Sequence, residues 1–195
     1  MANRNTVGFG LIAQGTVGST PSTQGQGKYL IDAGYNQDLF QGCTVKSKAG
    51  YIVEASSTRT FLSIGVFNGI FYNDATTKKP TFANFYNQPI TPANSEDITA
   101  FVIDNPNQLF VGAIDAAAAQ AEYGKTYGLT VTAAGSDTSG QSSSTLTYAT
   151  RHATNNQWRL VRSAEDPEND ENAAFRSVVV AHNLNQYFTG AVSWA

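Results

Sequence analysis

The apolar positions of this chain come in short runs that alternate with polar residues, and clusters of glycine, asparagine and proline separate the runs. Runs rich in β-branched and aromatic side chains at 28–33, 49–55, 59–67, 98–103, 109–114, 127–132, 145–150, 157–163 and 174–182 predict strands. In 59–67, Phe61, Ser63, Gly65 and Phe67 alternate against Leu62, Ile64 and Val66. Both faces then carry apolar residues, so this strand is expected to be buried on both sides or to lie at an interface. Val178, Val179 and Val180 mark the last run as fully buried or edge-paired. Between 98–103 and 109–114, Asp104-Asn105-Pro106-Asn107 supplies strong turn chemistry and predicts a hairpin-like unit.

Two segments break the pattern. Asp115 can cap a helix over 116–123, which opens on four consecutive alanines, and Gly124 can stop it. Segment 72–95 holds Pro80, Pro89 and Pro92 among asparagines and reads as a long loop. Its Tyr72, Phe82, Phe85 and Tyr86 are costly to leave in water, so they fold back on the core or pack against a partner. The glycines at 8, 10, 15, 18, 25 and 27 make residues 1–27 an N-terminal arm, extended or mobile until it lies on something, or simply a frayed terminus. Residues 28–195 then form a single β-rich domain. The expected fold is all-β, mainly an antiparallel barrel or sandwich, with one short α-helix and a long aromatic loop.

Composition adds a statement about partners. Charged residues make up 14% of the chain, against about 25% in an average domain. Neutral polar residues take their place, and such a surface suits hydrogen-bonded contacts that salt does not screen. This points to a protein that works against a neighbour. A net charge of -3 argues against nucleic-acid binding, which needs a basic face. The polar N-terminus lacks the apolar core of a signal peptide, and no run of about 18 apolar residues occurs, so no membrane association is expected and synthesis in a cytoplasm is. A chain of 195 residues buries a sizeable core without a staple, and one cysteine, Cys43, excludes an intramolecular disulfide. No His or Arg flanks Cys43, so it reads as a small buried hydrophobe.

Catalytic and metal-binding patterns are weak. His152 and His182 lack ligand-spaced partners. An EF-hand loop starting at Asp166 would need Gly and Glu where Glu171 and Ser177 stand. The acidic stretch 165–171 therefore reads as a solvated loop, with an irregular calcium site or a contact to a basic partner as alternatives. There is no P-loop and no nucleophile elbow. No enzyme activity and no cofactor are expected.

The run Gly69-Ile-Phe-Tyr-Asn-Asp-Ala-Thr-Thr-Lys-Lys-Pro-Thr-Phe-Ala-Asn-Phe-Tyr resembles a segment of tailed-phage virion proteins, especially of marine and cyanobacterial phages. So do Ala100-Phe-Val-Ile-Asp-Asn-Pro-Asn-Gln-Leu-Phe, Ser139-Gly-Gln-Ser-Ser-Ser, Trp158-Arg-Leu-Val-Arg, Glu165-Asp-Pro-Glu-Asn and Val178-Val-Val-Ala-His-Asn-Leu-Asn, in that order. Together they are similar to phage head structural proteins, in particular capsid decoration or cement proteins. The resemblance implies a protein on the outer capsid surface of a virion that binds the major capsid protein and other copies of itself, as a trimer or dimer, without an active site. Candidate contacts are Phe9, Leu11 and Ile12 in the arm and Phe82, Phe85 and Tyr86 in the aromatic loop. The alternative is a tail, neck or receptor-binding module in which Trp158 and Tyr148 stack on sugars.

Overall fold

A computed structural model describes residues 6–18, 25–55, 62–130, 135–170 and 172–187. Among them lie twelve strands: β1 (Ile12–Thr16), β2 (Gly27–Ile31), β3 (Thr44–Lys48), β4 (Tyr51–Glu54), β5 (Gly65–Asn73), β6 (Pro80–Ala83), β7 (Ile98–Ile103), β8 (Gln108–Ile114), β9 (Thr126–Leu129), β10 (Leu146–His152), β11 (Trp158–Ser163) and β12 (Arg176–His182). The protein is all-β, and its sheets close into barrels.

The strands form two rings of five. In the first, β2 pairs with β4, β4 with β3, β3 with β5, β5 with β7, and β7 returns to β2. In the second, β8 pairs with β10, β10 with β9, β9 with β11, β11 with β12, and β12 returns to β8. Strand for strand, in chain order, these are the same path. Each ring has one parallel contact, between its first and third strands, at Leu30↔Tyr51 and Ile114↔Leu146. All other pairings are antiparallel.

The registers coincide as well. Thr44↔Val66 and Val45↔Gly65 in the first barrel match Thr126↔Arg159 and Tyr127↔Trp158 in the second. Ile31↔Ile98 matches Ile114↔Arg176. The fourth strand carries a one-residue bulge at the same place in both, between Phe67 and Gly69 and between Leu160 and Arg162. Burial follows the equivalence: Ile31 and Ile114, Phe67 and Leu160, Ala100 and Val178, and Val102 and Val180 are all inaccessible. The chain is thus two copies of one five-stranded barrel, with β1 added to β8 and β6 added to β5.

Alternation explains which side chains fill each barrel. Along β7, Ile98, Ala100 and Val102 are buried and point inward, while Thr99, Phe101 and Ile103 are partly exposed outside. They join Leu39, Val45, Ile52, Ile64, Phe67, Ile70 and Tyr86 in the first core. Cys43 lies in the same core, and burial pushes its thiol well up, so it is an inert apolar group. The second core is built on Phe110, Ile114, Tyr127, Leu146, Trp158 and Leu160 and takes in Leu11 and Val66 from outside its ring.

The barrels differ most at one end. Phe110 and Trp158 meet edge to face at 5.3 Å in the second barrel, with His182 4.2 Å from the indole. The equivalents of Phe110 and Trp158 in the first barrel are Gly27 and Gly65. That end is closed instead by the segment after β12: Gln186 donates its backbone N–H to Ser63 O at 2.8 Å, its side chain brackets the backbone of Ser47, and Tyr187 meets the hydroxyl of Tyr29.

Three expectations need correction. The unit 98–103 and 109–114 is not a hairpin. The turn forms, with Asn107 N–H on Asn105 Oδ1 and Gln108 N–H on Asn105 O, but it carries the chain from one barrel into the other, and β7 and β8 pair within their own rings. The α-helix over 116–123 is absent, and only a 3-10 turn at Gln120–Glu122 remains. Asp115 does not cap it, because its side chain accepts the Tyr148 N–H at 2.7 Å and its N–H bonds Leu146 O. Ala118 is buried, and its carbonyl accepts the guanidinium of Arg176 rather than a helical N–H. Segment 72–95 is not all loop: β5 runs on to Asn73 and β6 returns along it.

Candidate interaction surface

The arm residues that the sequence singled out are held against the junction of the two barrels. Gly10 N–H bonds Ser144 O and Leu11 N–H bonds Gly42 O at 2.9 Å, after which β1 pairs antiparallel with β8. Gln41 continues the seam, donating to Gly140 O and accepting from Ser142 N–H, both at 2.9 Å. Between these segments lies a cleft of about 340 Å³, lined by Phe9, Leu11, Ile12 and Ala13 on one side and by Val66, Phe67, Asn68 and Ile103 on the other.

A second, shallower depression of about 440 Å³ adjoins the cleft through two shared residues, Gln26 and Asn68. Its floor includes Phe82, Phe101, Gly69 and Ala83. Asn68 is the bulged residue of β5, and a bulge re-aims a side chain. Its Oδ1 accepts from Gln41 Nε2 at 2.8 Å, which ties the first depression to the second. Gly69, next to it, has φ +149°, and a Cβ there would lie 2.7 Å from Ala83 O, so only glycine lets β6 close on β5.

Phe82 is the most exposed large apolar residue described, at 72%. It lies 4.7 Å from Phe71 and 6.4 Å from Phe101, ring centre to ring centre, across β5, β6 and β7. Among the described strands β6 has β5 alone as a neighbour, so within them this aromatic row ends on a sheet edge. The rim is amide: Gln26, Gln41, Asn68, Asn84 and Gln141 surround the two depressions, and among the described residues no charged side chain lines either. Asn84 Nδ2 reaches Ser139 O at 2.7 Å and so fastens the aromatic segment to the second barrel.

Four of the six predicted contacts therefore converge on one groove: Phe9, Leu11, Ile12 and Phe82. Leu11 forms its wall from a buried position, while Ile12 is 49% exposed. Phe85 and Tyr86 lie elsewhere. Phe85 stacks on Phe40 at 5.9 Å, and Tyr86 is inaccessible, its hydroxyl donating to Tyr35 O at 2.7 Å. They anchor the segment that presents Phe82. Gln26, Asn68 and Phe101 are groove residues that the sequence did not mark. A polar residue next to a glycine in an otherwise apolar strand, Asn68-Gly69, was the available sign of a bulge.

The other candidate chemistry is structural. Trp158 is inaccessible and Tyr148 sits under the Arg151 guanidinium at 4.7 Å, so they do not form a sugar-stacking pair. Burial drives the Glu122 carboxyl up, but Tyr127, Lys125 and Arg151 outweigh it and hold it below its usual range. The acidic loop is pinned by Asn169, whose amide donates to Ser163 Oγ, Ala164 O and Ser177 O and accepts from Ser177 N–H. Among the described residues no three His, Cys, Asp or Glu side chains gather as a metal site, and no helix is long and apolar enough to cross a membrane.

The chain matches no family model, no curated protein and no solved structure. The groove and the doubled barrel are thus the observations on which a functional reading rests.

Proposed function

We propose that this protein is a virion structural protein, a decoration or cement protein that binds the major capsid protein lattice of a phage head and stabilises it. The observation that carries the reading is the uncharged groove ending on Phe82. A phenylalanine held at 72% exposure in a row of three rings is costly in water and gains on burial against a partner. Burying one such side chain contributes roughly 1.5–3 kcal/mol. The amide rim then supplies hydrogen bonds of fixed direction, which give specificity without long-range charge. Nothing in this arrangement calls for a reacting group or a cofactor. Each copy binds modestly, and contacts with neighbouring copies, as a trimer or dimer, add to the hold on a repeating shell.

The test is the copy number of this chain per particle, relative to the major shell protein, by quantitative mass spectrometry. A value in the hundreds supports the reading. A few copies assign the chain to the tail or neck, and absence from the particle overturns the virion reading altogether.

A further inference from the structure

The doubled barrel exposes a difference between its halves. In the second barrel the first strand, β8, has β12 along one edge. Its other edge is filled by β1, with Ile12↔Val111, Ala13↔Phe110, Gly15↔Leu109 and Thr16↔Gln108. Matching the registers of the two rings places residues 25–28 of the first barrel where 108–111 stand in the second. There β7 covers the inner edge of Gly27 and Lys28, the first residues of β2, and no described strand lies on the other edge. Exposure agrees with this: Gln108 and Phe110 are buried and Leu109 and Val111 half-buried, whereas Gly25, Gln26 and Lys28 are exposed.

We propose that this edge of residues 25–28, which no described strand covers, is a seat for an extended strand of the partner protein, running antiparallel to β2 as β1 runs along β8. An unpaired strand edge is a template for another chain. The seat in the second barrel states what fits: a small residue opposite Gly27 and Gln26, as Ala13 and Gly15 stand opposite Phe110 and Leu109. It also fixes one charge. Lys28 takes the place of Val111, so the residue that replaces Ile12 on the incoming strand faces a lysine on the outer surface, and an acidic side chain complements it. The donor is another protein and not a second copy, because the described segment of this chain that occupies such a seat, Ile12–Thr16, is already held on β8 and brings isoleucine to the lysine. The proposal rests on the reading of the protein as a partner-binding module and says how one partner segment is held.

The test uses the full chain and fluorescent nine-residue peptides with the sequence of residues 8–16, carrying Glu, Lys or the original Ile at the position of Ile12. The Glu peptide is expected to bind roughly fivefold tighter than the Lys peptide, to slow amide exchange at 25–28, and to lose binding when alternate backbone nitrogens are methylated. Lys28→Glu, an exposed change, reverses the order of the two peptides. Failure of all three to bind, an unchanged order with Lys28→Glu, or protection at 80–83 in place of 25–28 overturns the seat. Tightest binding by the Ile peptide, with dimerisation of the protein, overturns the donor in favour of a second copy. If the Glu peptide binds as expected while the chain is absent from particles, the seat stands and the capsid reading falls.

Discussion

Asn68 and Val161 occupy the same place in the two barrels: each is the single residue that the fourth strand inserts opposite the fifth. The two bulges turn different groups outward. Val161 is 39% exposed, whereas Asn68 is bonded to Gln41 at the shared wall of two depressions. Asn68→Val gives the first barrel the residue of the second. It is expected to fold with a loss of about 1 kcal/mol for the missing hydrogen bond, read from denaturant melts. A loss above about 3 kcal/mol would mean that the two bulges are not equivalent.

Phe82→Ser tests the groove. The ring is 72% exposed and its ring contacts are with Phe71 and Phe101, so stability should change by no more than about 1 kcal/mol. Occupancy of particles, by titration onto stripped shells, should fall about tenfold or more for the lost burial. Full occupancy would remove Phe82 from the interface.

Binding through an uncharged groove is insensitive to salt. Between about 0.05 and 0.5 M sodium chloride the affinity for the shell should change less than about twofold, since no ion pair is screened. A steep decline would place the contact on the acidic loop or another charged face.

The barrels share backbone seams at Gln41–Gly140 and Ser63–Gln186, and Val66 of the first lies in the core of the second. They should therefore unfold together. Phe67→Ala and Leu160→Ala, equivalent and both inaccessible, are each expected to cost about 2–5 kcal/mol and to lower one common calorimetric transition. Two separate transitions, each answering to one variant, would show independent barrels.

His182 sets an acid limit. Part of the residue reaches solvent, but both ring nitrogens are buried without a hydrogen-bond partner among the described residues, and burial pushes the imidazole down to about 3. The unfolded chain takes up the proton near 6.5, the folded one only near 3. The neutral ring thus favours folding above 6.5, and this contribution fades as the pH falls toward 3, by a few kcal/mol in all. Glu54, raised to about 7 by burial, acts in the opposite sense: its contribution fades as pH rises from 4.5 to 7. His182→Phe should flatten the acid side of a stability–pH curve and leave the side above pH 6.5 unchanged.

The sequence made the strand content legible because inward positions such as Ile98, Ala100 and Val102 alternate with outward ones. It did not make pairing legible. Asn105 and Pro106 say that the chain bends, and a bend serves a junction between barrels as well as a hairpin. The alanines at 116–119 have helical propensity, but the Arg176 guanidinium claims a carbonyl among them, a contact with a residue far along the chain. The duplication is hidden for a related reason. Thr44 and Thr126 agree, but Gly65 answers to Trp158 and Ile98 to Arg176, because the two ends are filled by different means. Phe82 was legible as an aromatic in a polar stretch, yet nothing local separates it from Phe85 and Tyr86, which fold inward.

The chain's two flanking segments cross over. Residues 8–16 precede the first barrel and lie on the second; residues 184–187 follow the second and close the first. The first barrel therefore does not leave the ribosome in finished form, whereas the second finds its flanking segment already made. The first barrel emerges early with its glycine-lined end open, and it is completed only once residue 187 has left the exit tunnel.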